Sequence, residues 1–421
     1  MALRSSARPR RPKAEMPMRI LRLKVENYRA LRSLELADVT PLTVLLGPNG
    51  SGKSTVFDVF SFLAECFTGS LRAAWEKRGR FKELRTRGAT GPIVFELTYQ
   101  ETADDQPATY RLTINEDHRG PFVEQESLKW RRMERNKPGA PFNILSFNKG
   151  KGWVISGERP IKNDQKVWET LDERDLLAVS TLGRLRNNPR VAALRRFISS
   201  WYVSYLSIDD TRGQPEAGAQ ERLSRTGHNL ANVIQFLKER HPQHLAEIYT
   251  RMQQRVPRIE RIDSTPMPDG RLLLTVKDAP FEEPVLARFA SDGTLKMLAY
   301  LIVLHDPTPP PFIGVEEPEN FLHPRLLPVL AEECRAATER SQLLVTTHSP
   351  FLLNGLAPEQ VRILYRDTDG YTQAQRAADV DGIAHHLAEG AKLGELWLEG
   401  QLGVGDPLVE HGGPTRPGRR R

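Results

Sequence analysis

Apolar and polar residues alternate at the start of the chain. Leu21, Leu23 and Val25 share one face and Leu34 and Leu36 another, which predicts two strands joined as a hairpin. Leu42–Leu46 is an uninterrupted apolar run, the pattern of a strand covered on both faces, and it leads into a Gly-rich turn. From Lys53 to about Cys66, Val56, Val59, Phe60 and Leu63 recur at helical spacing. The predicted order is strand, loop, helix.

Between residues 91 and 156 the text changes to short aromatic and β-branched runs, IVFELTY, TYRLTI, FVEQESLKW and WVIS, broken by Gly, Pro and Asn. These predict an antiparallel β lobe. Residues 165–255 are richer in helix formers, with helices expected near 189–199, 229–240 and 243–255. RLLLTV (271–276) reads as a strand, 294–305 as a buried helix, and FIGV (312–315), LLVTT (343–347) and VRILY (361–365) as the remaining strands, VRILY being the last. Apolar strands alternating with helices predict an α/β fold with a mostly parallel, doubly covered sheet. No internal repeat and no sustained heptad pattern is present.

The expected division is a disordered basic tail (1–17), a first lobe with the hairpin and Gly-rich loop (18–90), an antiparallel β subdomain (91–160) and an inserted helical lobe (161–270). The rest of the core (271–370), a C-terminal helical segment (371–405) and a second basic tail (406–421) follow.

Composition narrows the classes. The chain has 421 residues, 27% charged and 39% hydrophobic, enough for two or three units with a sizeable core. Its only cysteines are Cys66 and Cys334, which leaves no disulfide framework or Cys-rich zinc site and suits a reduced, cytoplasmic setting. No apolar run is long enough for a membrane span, and the basic start lacks the apolar stretch of a secretory signal. The net charge of +7 is misleading. Arg4, Arg8, Arg10, Arg11 and Lys13 against Glu15 in residues 1–17, with Arg416, Arg419, Arg420 and Arg421 and no acid in residues 411–421, place +8 at the two ends, so the remainder is near −1. The folded body is not a basic surface.

Gly47-Pro48-Asn49-Gly50-Ser51-Gly52-Lys53-Ser54, followed by Thr55, satisfies G-x-x-x-x-G-K-[ST]. Glycines let the backbone wrap an anion with its N–H groups inward, at the positive end of the following helix. Lys53 then reaches the β- and γ-phosphates, and the Ser54 hydroxyl ligates Mg²⁺. Glu316 and Glu317 end an apolar strand, where parallel sheets place their ligands. Successive side chains diverge there, so one acid can serve the metal while Glu317, the candidate general base, polarises water. Ser291-Asp292-Gly293-Thr294 opens an apolar helix, either as an ordinary N-cap or as a second phosphate-binding helix end. His348 follows a strand, where a lone His is usually structural but could hydrogen-bond a γ-phosphate.

In order, Asn27-Tyr28-Arg29, GPNGSGKST, SDGT-Leu295-Lys296, EEPENFLHP and TTHSP resemble the ABC-class ATPases of the RecF, SMC and OLD type, and most closely the compact RecF-like AAA-family ATPases. The resemblance covers residues 19–80 and 270–365. LGELWLEGQLG (393–403) is also similar to those short ATPases. It implies a P-loop NTPase of ABC type that binds ATP and Mg²⁺ and hydrolyses ATP, two copies enclosing two nucleotides. It further implies Ser291 and Gly293 as signature residues acting on the partner's nucleotide, with Lys296 nearby, Glu316 as the Walker B acid and metal ligand with Ser54, and Glu317 as the catalytic acid. Glu319 and Asn320 would lie in the D-loop, His348 would be the switch histidine, and Arg29 would approach the nucleotide. Glu316 replaces the more usual Asp, SDGT replaces LSGGQ, and no Q-loop glutamine can be placed.

The expected activity is an ATP-gated homodimer acting on DNA or on a separate effector protein, in DNA maintenance or phage defence. Arg72–Arg87, with seven Lys/Arg against two Glu, and Trp130-Arg131-Arg132 are the basic stretches. The near-neutral body favours reading both as solvated faces, so DNA rests on the resemblance. A nuclease of the OLD type would need a further domain, whereas the segment after His348 offers one tight acidic pair, Asp367 and Asp369, in an expected hairpin. The signature and acidic variants argue against a transporter ATPase, and Glu317 against a non-hydrolysing scaffold.

Overall fold

The structure is a computed structural model describing residues 18–134, 137–155 and 165–405. Both expected basic tails, and the end of WVIS, lie outside the described residues.

Six strands make the central sheet: β3 (Leu42–Leu46), β10 (Tyr202–Ser204), β14 (Phe312–Glu316), β15 (Gln342–Thr347), β16 (Val361–Arg366) and β17 (Thr372–Arg376), in the order β10-β14-β15-β3-β16-β17. The first five are parallel. β17 is antiparallel to β16, so VRILY is followed by one more strand, and the segment from residue 371 starts as a hairpin rather than a helix. The continuous apolar runs have the expected cause. Leu45, Phe312 and Leu344 enter one hydrophobic cluster, while Leu42, Val44, Leu46, Ile313, Val315, Leu343 and Val345 enter another on the opposite face.

The first cluster lies between this sheet and a second, eight-stranded one, with helix α1 (Lys53–Thr68) between them. The second sheet contains β1 (Arg19–Tyr28), β2 (Leu31–Leu36), β4 (Ile93–Gln100), β5 (Ala108–Asp117), β6 (Gly120–Glu134), β7 (Lys137–Asn148), β8 (Lys151–Ile155) and β9 (Lys166–Thr170), in the order β2-β1-β4-β5-β6-β7-β8-β9. All neighbours are antiparallel. The N-terminal hairpin and the β lobe are thus one sheet, and the expected division at residue 90 falls between hydrogen-bonded strands. β7 carries Pro and Gly, which hid it in the sequence pattern.

The three expected helices occur at Pro189–Ser199, Leu230–Arg240 and Pro242–Arg255. The region expected as a helical lobe also holds strands. β9 closes the eight-stranded sheet, β10 edges the central one, and β11 (Ile259–Pro266) pairs with β12 (Leu272–Asp278) in a three-stranded sheet completed by β13 (Val285–Leu286). β10 is three residues long, too short for a periodicity signal. The Asp292–Leu304 helix is buried from Thr294 onward in the second cluster.

Candidate nucleotide site

Parallel register brings the site together. Glu316 lies opposite Thr346, Thr346 opposite Leu45, and Thr347 opposite Leu46, so β14, β15 and β3 end along one edge of the sheet. The Gly47–Gly52 loop leaves β3 at that edge.

The loop is shaped by glycine. Gly52 has φ +107° and Gly50 φ +79°, left-handed values that other residues adopt at a cost. A Cβ on Gly52 would collide with the Thr372 hydroxyl. Gly52 is the N-cap of α1 and brings no side-chain cap, and the first turn carries no acid. The N–H groups opening α1 are therefore available to an anion. The Ser51 hydroxyl is buried without a hydrogen-bond partner. These are orphaned donors in a cradle open at Gly50, where an added Cβ would meet nothing within 4 Å. A triphosphate fits this donor set.

Lys53 is 5% exposed. Its ammonium donates to the carbonyls of Gly47 at 2.7 Å and Pro48 at 3.2 Å and lies 3.7 Å from Glu317 Oε1. Burial lowers its pKa, while Glu317, Glu319 and Glu316 oppose that shift. Glu316 points elsewhere: burial raises its pKa, against the lowering influence of the nearby Ser54 hydroxyl. A cation would relieve that penalty, and one hydroxyl with one carboxylate is a hard-oxygen set of the kind Mg²⁺ takes alongside substrate phosphates. Among the described residues no group of three or more His, Cys, Asp or Glu could hold a metal ion, so the metal would depend on the phosphates.

The divergence of the two acids has a backbone cause. Glu317 has φ +39°, an uncommon left-handed conformation for a side-chain-bearing residue. Its N–H is held by Thr346, through both the carbonyl and the hydroxyl at 3.1 Å. That kink aims Glu317 at Lys53 while Glu316 continues the strand towards Ser54. His348 Nδ1 lies 3.6 Å from Glu317 Oε1 and 3.2 Å from Glu319 Oε1. Glu319 also accepts from the Thr347 hydroxyl and the His348 N–H, both at 2.8 Å. Lys296 is buried, sits 5.5 Å from the Phe321 ring centroid, and has its pKa lowered by burial to about 8 against the pull of Glu319 and Glu317.

The chain matches, over residues 42–354, the protein family described as "AAA domain, putative AbiEii toxin, Type IV TA system". It belongs to that family. The match takes in the P-loop, both acids and His348, and with the parallel sheet it makes this an α/β P-loop NTPase fold. Over 86 residues, 19% of the chain, it is 35% identical to structural maintenance of chromosomes protein 1 of Arabidopsis thaliana, and it spans about 7% of that protein's length. Similar solved structures include an Smc head bound to the C-winged helix domain of ScpA (TM-score 0.46, 15% identity, 85% of this chain and 96% of that one). Another is the SMC head domain from Thermotoga maritima (TM-score 0.39, 13% identity, 85% and 98%). A third is the Pyrococcus furiosus Smc head with an extended coiled coil, bound to the C-terminal domain of ScpA (TM-score 0.46, 11% identity, 88% and 100%). Likenesses this distant carry no residue-level argument.

Among the described residues, other expected site residues form no hydrogen bond or ion pair with the loop of this family member. Ser291 caps its helix by accepting from the Thr294 N–H at 3.2 Å. With Asp292, Gly293, Arg255, Phe321 and Arg325 it lines a cavity of about 730 Å³. Among the described residues no hydrogen bond or ion pair joins Ser291 or Gly293 to residues 47–55. Arg29 is paired with Asp58 of α1 at 3.1 Å and lines a separate cavity of about 590 Å³ with Lys82, Arg85, Arg87, Arg366 and Tyr371. Of the basic stretch from Arg72, Arg78 is tied to Asp58 and Glu65 and Arg72 to Asp175, so only part of it is free. Asp367 serves its turn, accepting from the N–H groups of Asp369 and Tyr371.

Sequence reasoning missed the hairpin that braces the loop. Arg366 Nε donates to the Gly50 carbonyl at 2.7 Å and Thr372 Oγ1 to that of Ser51 at 2.9 Å. No linear spacing announces those contacts, because they depend on β16 lying beside β3. Among the described residues no helix is long and apolar enough to cross a membrane.

Proposed function

We propose that this chain is a cytoplasmic, Mg²⁺-dependent ATPase of the ABC class, in the RecF/OLD branch, in which ATP closes a homodimer and hydrolysis to ADP and phosphate opens it. The observation that carries the reading is the approach of Glu317 to within 3.7 Å of the Lys53 ammonium from a distant part of the chain. Lys53 and the N–H groups opening α1 would hold phosphate oxygens. Ser54 and Glu316 would hold Mg²⁺, which when bound neutralises charge developing on those oxygens. Glu317 would accept the proton of the attacking water, with His348 and Glu319 fixing its orientation. Among the described residues Ser291 and Gly293 form no hydrogen bond or ion pair with the loop of their own chain, which supports their service to a partner copy's nucleotide.

The motion so produced would act on DNA or on an effector protein. The toxin–antitoxin wording of the matching family supports a defence setting. Glu317→Gln tests the core of the reading. It should lower turnover by about 10²-fold or more while retaining ATP and trapping a dimer, whereas Lys53→Ala should lose ATP altogether. Turnover is followed by phosphate release and the dimer by light scattering with ATP and Mg²⁺. Undiminished turnover in Glu317→Gln sinks the assignment.

A further inference from the structure

Charge is spread unevenly over the outward face of the eight-stranded sheet. At the β2-β1-β4-β5 end the cations are paired: Arg22 with Glu35 at 2.7 Å and Glu96 at 2.8 Å, Lys24 with Glu26 at 2.6 Å, and Arg111 with Glu96 at 3.0 Å. Past β5 the balance changes. The same face continues through Ser127 and Lys129 of β6, Ser146 of β7, Trp153 of β8 and Trp168 of β9. Lys129, Arg131, Lys151 and Lys166 belong to this half, and among the described residues none of them has a carboxylate partner. Among the described side chains, the carboxylates of these strands are directed elsewhere: Glu126 is in the core, Glu124 accepts from Asn115, and Glu169 alternates to the other face of β9.

Two tryptophans stand among those cations. Trp153 and Trp168 are directly opposed across β8 and β9, and Trp168 is 72% exposed. The Lys166 ammonium lies 4.2 Å from the Trp153 ring centroid. β9 is the edge strand and is exposed along its whole length. An indole this exposed on a free edge is a liability unless something covers it.

We propose that the β6–β9 half of this face binds single-stranded nucleic acid, its bases stacking on Trp153 and Trp168 and its phosphates meeting Lys129, Arg131, Lys151 and Lys166. Flat apolar rings interleaved with unpaired cations suit a ligand that offers a flat ring and an anion in every repeat. A duplex keeps its bases stacked internally and cannot use the indoles. An acidic peptide satisfies the cations and leaves the indoles without flat partners. The proposal deepens the nucleic-acid branch of the function above, but its binding step needs no ATP.

The test is fluorescence anisotropy of a labelled oligothymidylate with the full chain and no nucleotide, set beside a duplex, poly-glutamate and phosphatidylserine vesicles. Single strands should bind best. Trp168→Ala should weaken them roughly tenfold or more, and Trp168→Phe, which keeps a ring, by less. Lys151→Glu with Lys166→Glu should flatten the slope of log affinity against log salt by about 0.7 for each phosphate no longer neutralised. Unchanged oligothymidylate binding in Trp168→Ala or in the lysine pair overturns the proposal. So does duplex, poly-glutamate or vesicle binding as tight as that of the single strand. Lys53→Ala should still bind the oligonucleotide, which separates failure of this site from failure of the ATPase reading.

Discussion

Substituting Glu126 should reshape the pH dependence of stability. Glu126 projects from β6 into the core, where it accepts the Tyr110 hydroxyl at 2.8 Å and the N–H groups of Ala178 and Val179 at 2.5 and 3.0 Å. Those N–H groups open the Ala178–Leu182 helix, so one carboxyl ties the eight-stranded sheet to the segment beyond it. Burial pushes its pKa up from 4.5 to about 7, against the lowering effect of its three donors. In the unfolded chain the proton leaves near pH 4.5, and in the folded chain near 7. Between these values the folded state holds the extra proton, so stability falls as pH rises, by about 3 kcal/mol in all, and levels off above about 7. Glu126→Gln removes this titration. Its amide turns an NH₂ towards one of the two backbone N–H groups, costing about 1–2 kcal/mol at acid pH. The variant should therefore be the less stable protein at about pH 5 and equal or more stable at about pH 8. Urea midpoints of both proteins across that range supply the comparison, since all other titrations cancel in the difference. A constant offset between the two curves would refute the reasoning.

Other outcomes follow from the site. Gly52→Ala, at φ +107° and against Thr372, should abolish ATP binding and lower stability by about 1 kcal/mol or more, read by titration calorimetry and thermal melting. His348→Ala should reduce kcat with little change in KM, because its contacts are to Glu317 and Glu319 rather than to the loop. Ser54→Ala should weaken Mg²⁺ dependence, seen as a higher metal concentration for half-maximal turnover, while Lys53 still retains nucleotide.

Much of this protein can be read from its linear text. The P-loop and the apolar runs beside it are local features: a phosphate cradle needs its glycines at fixed offsets, and a doubly covered strand needs a continuous apolar run. α1, β3, β14 and β15 and the helices of 189–255 were legible for that reason, as were Lys53, Glu316 and Glu317 as candidates. Tertiary structure alone decided what meets. Only the parallel register of β14, β15 and β3 brings Glu317 to Lys53, and only the left-handed turn at Glu317 sends the two acids to different partners. The joining of the N-terminal hairpin to the β lobe, the bracing of the loop by Arg366 and Thr372, and the opposition of Trp153 and Trp168 likewise arise from strand pairing. Pairing over long separations depends on which faces can be buried together, and that is a property of the whole chain rather than of any window within it.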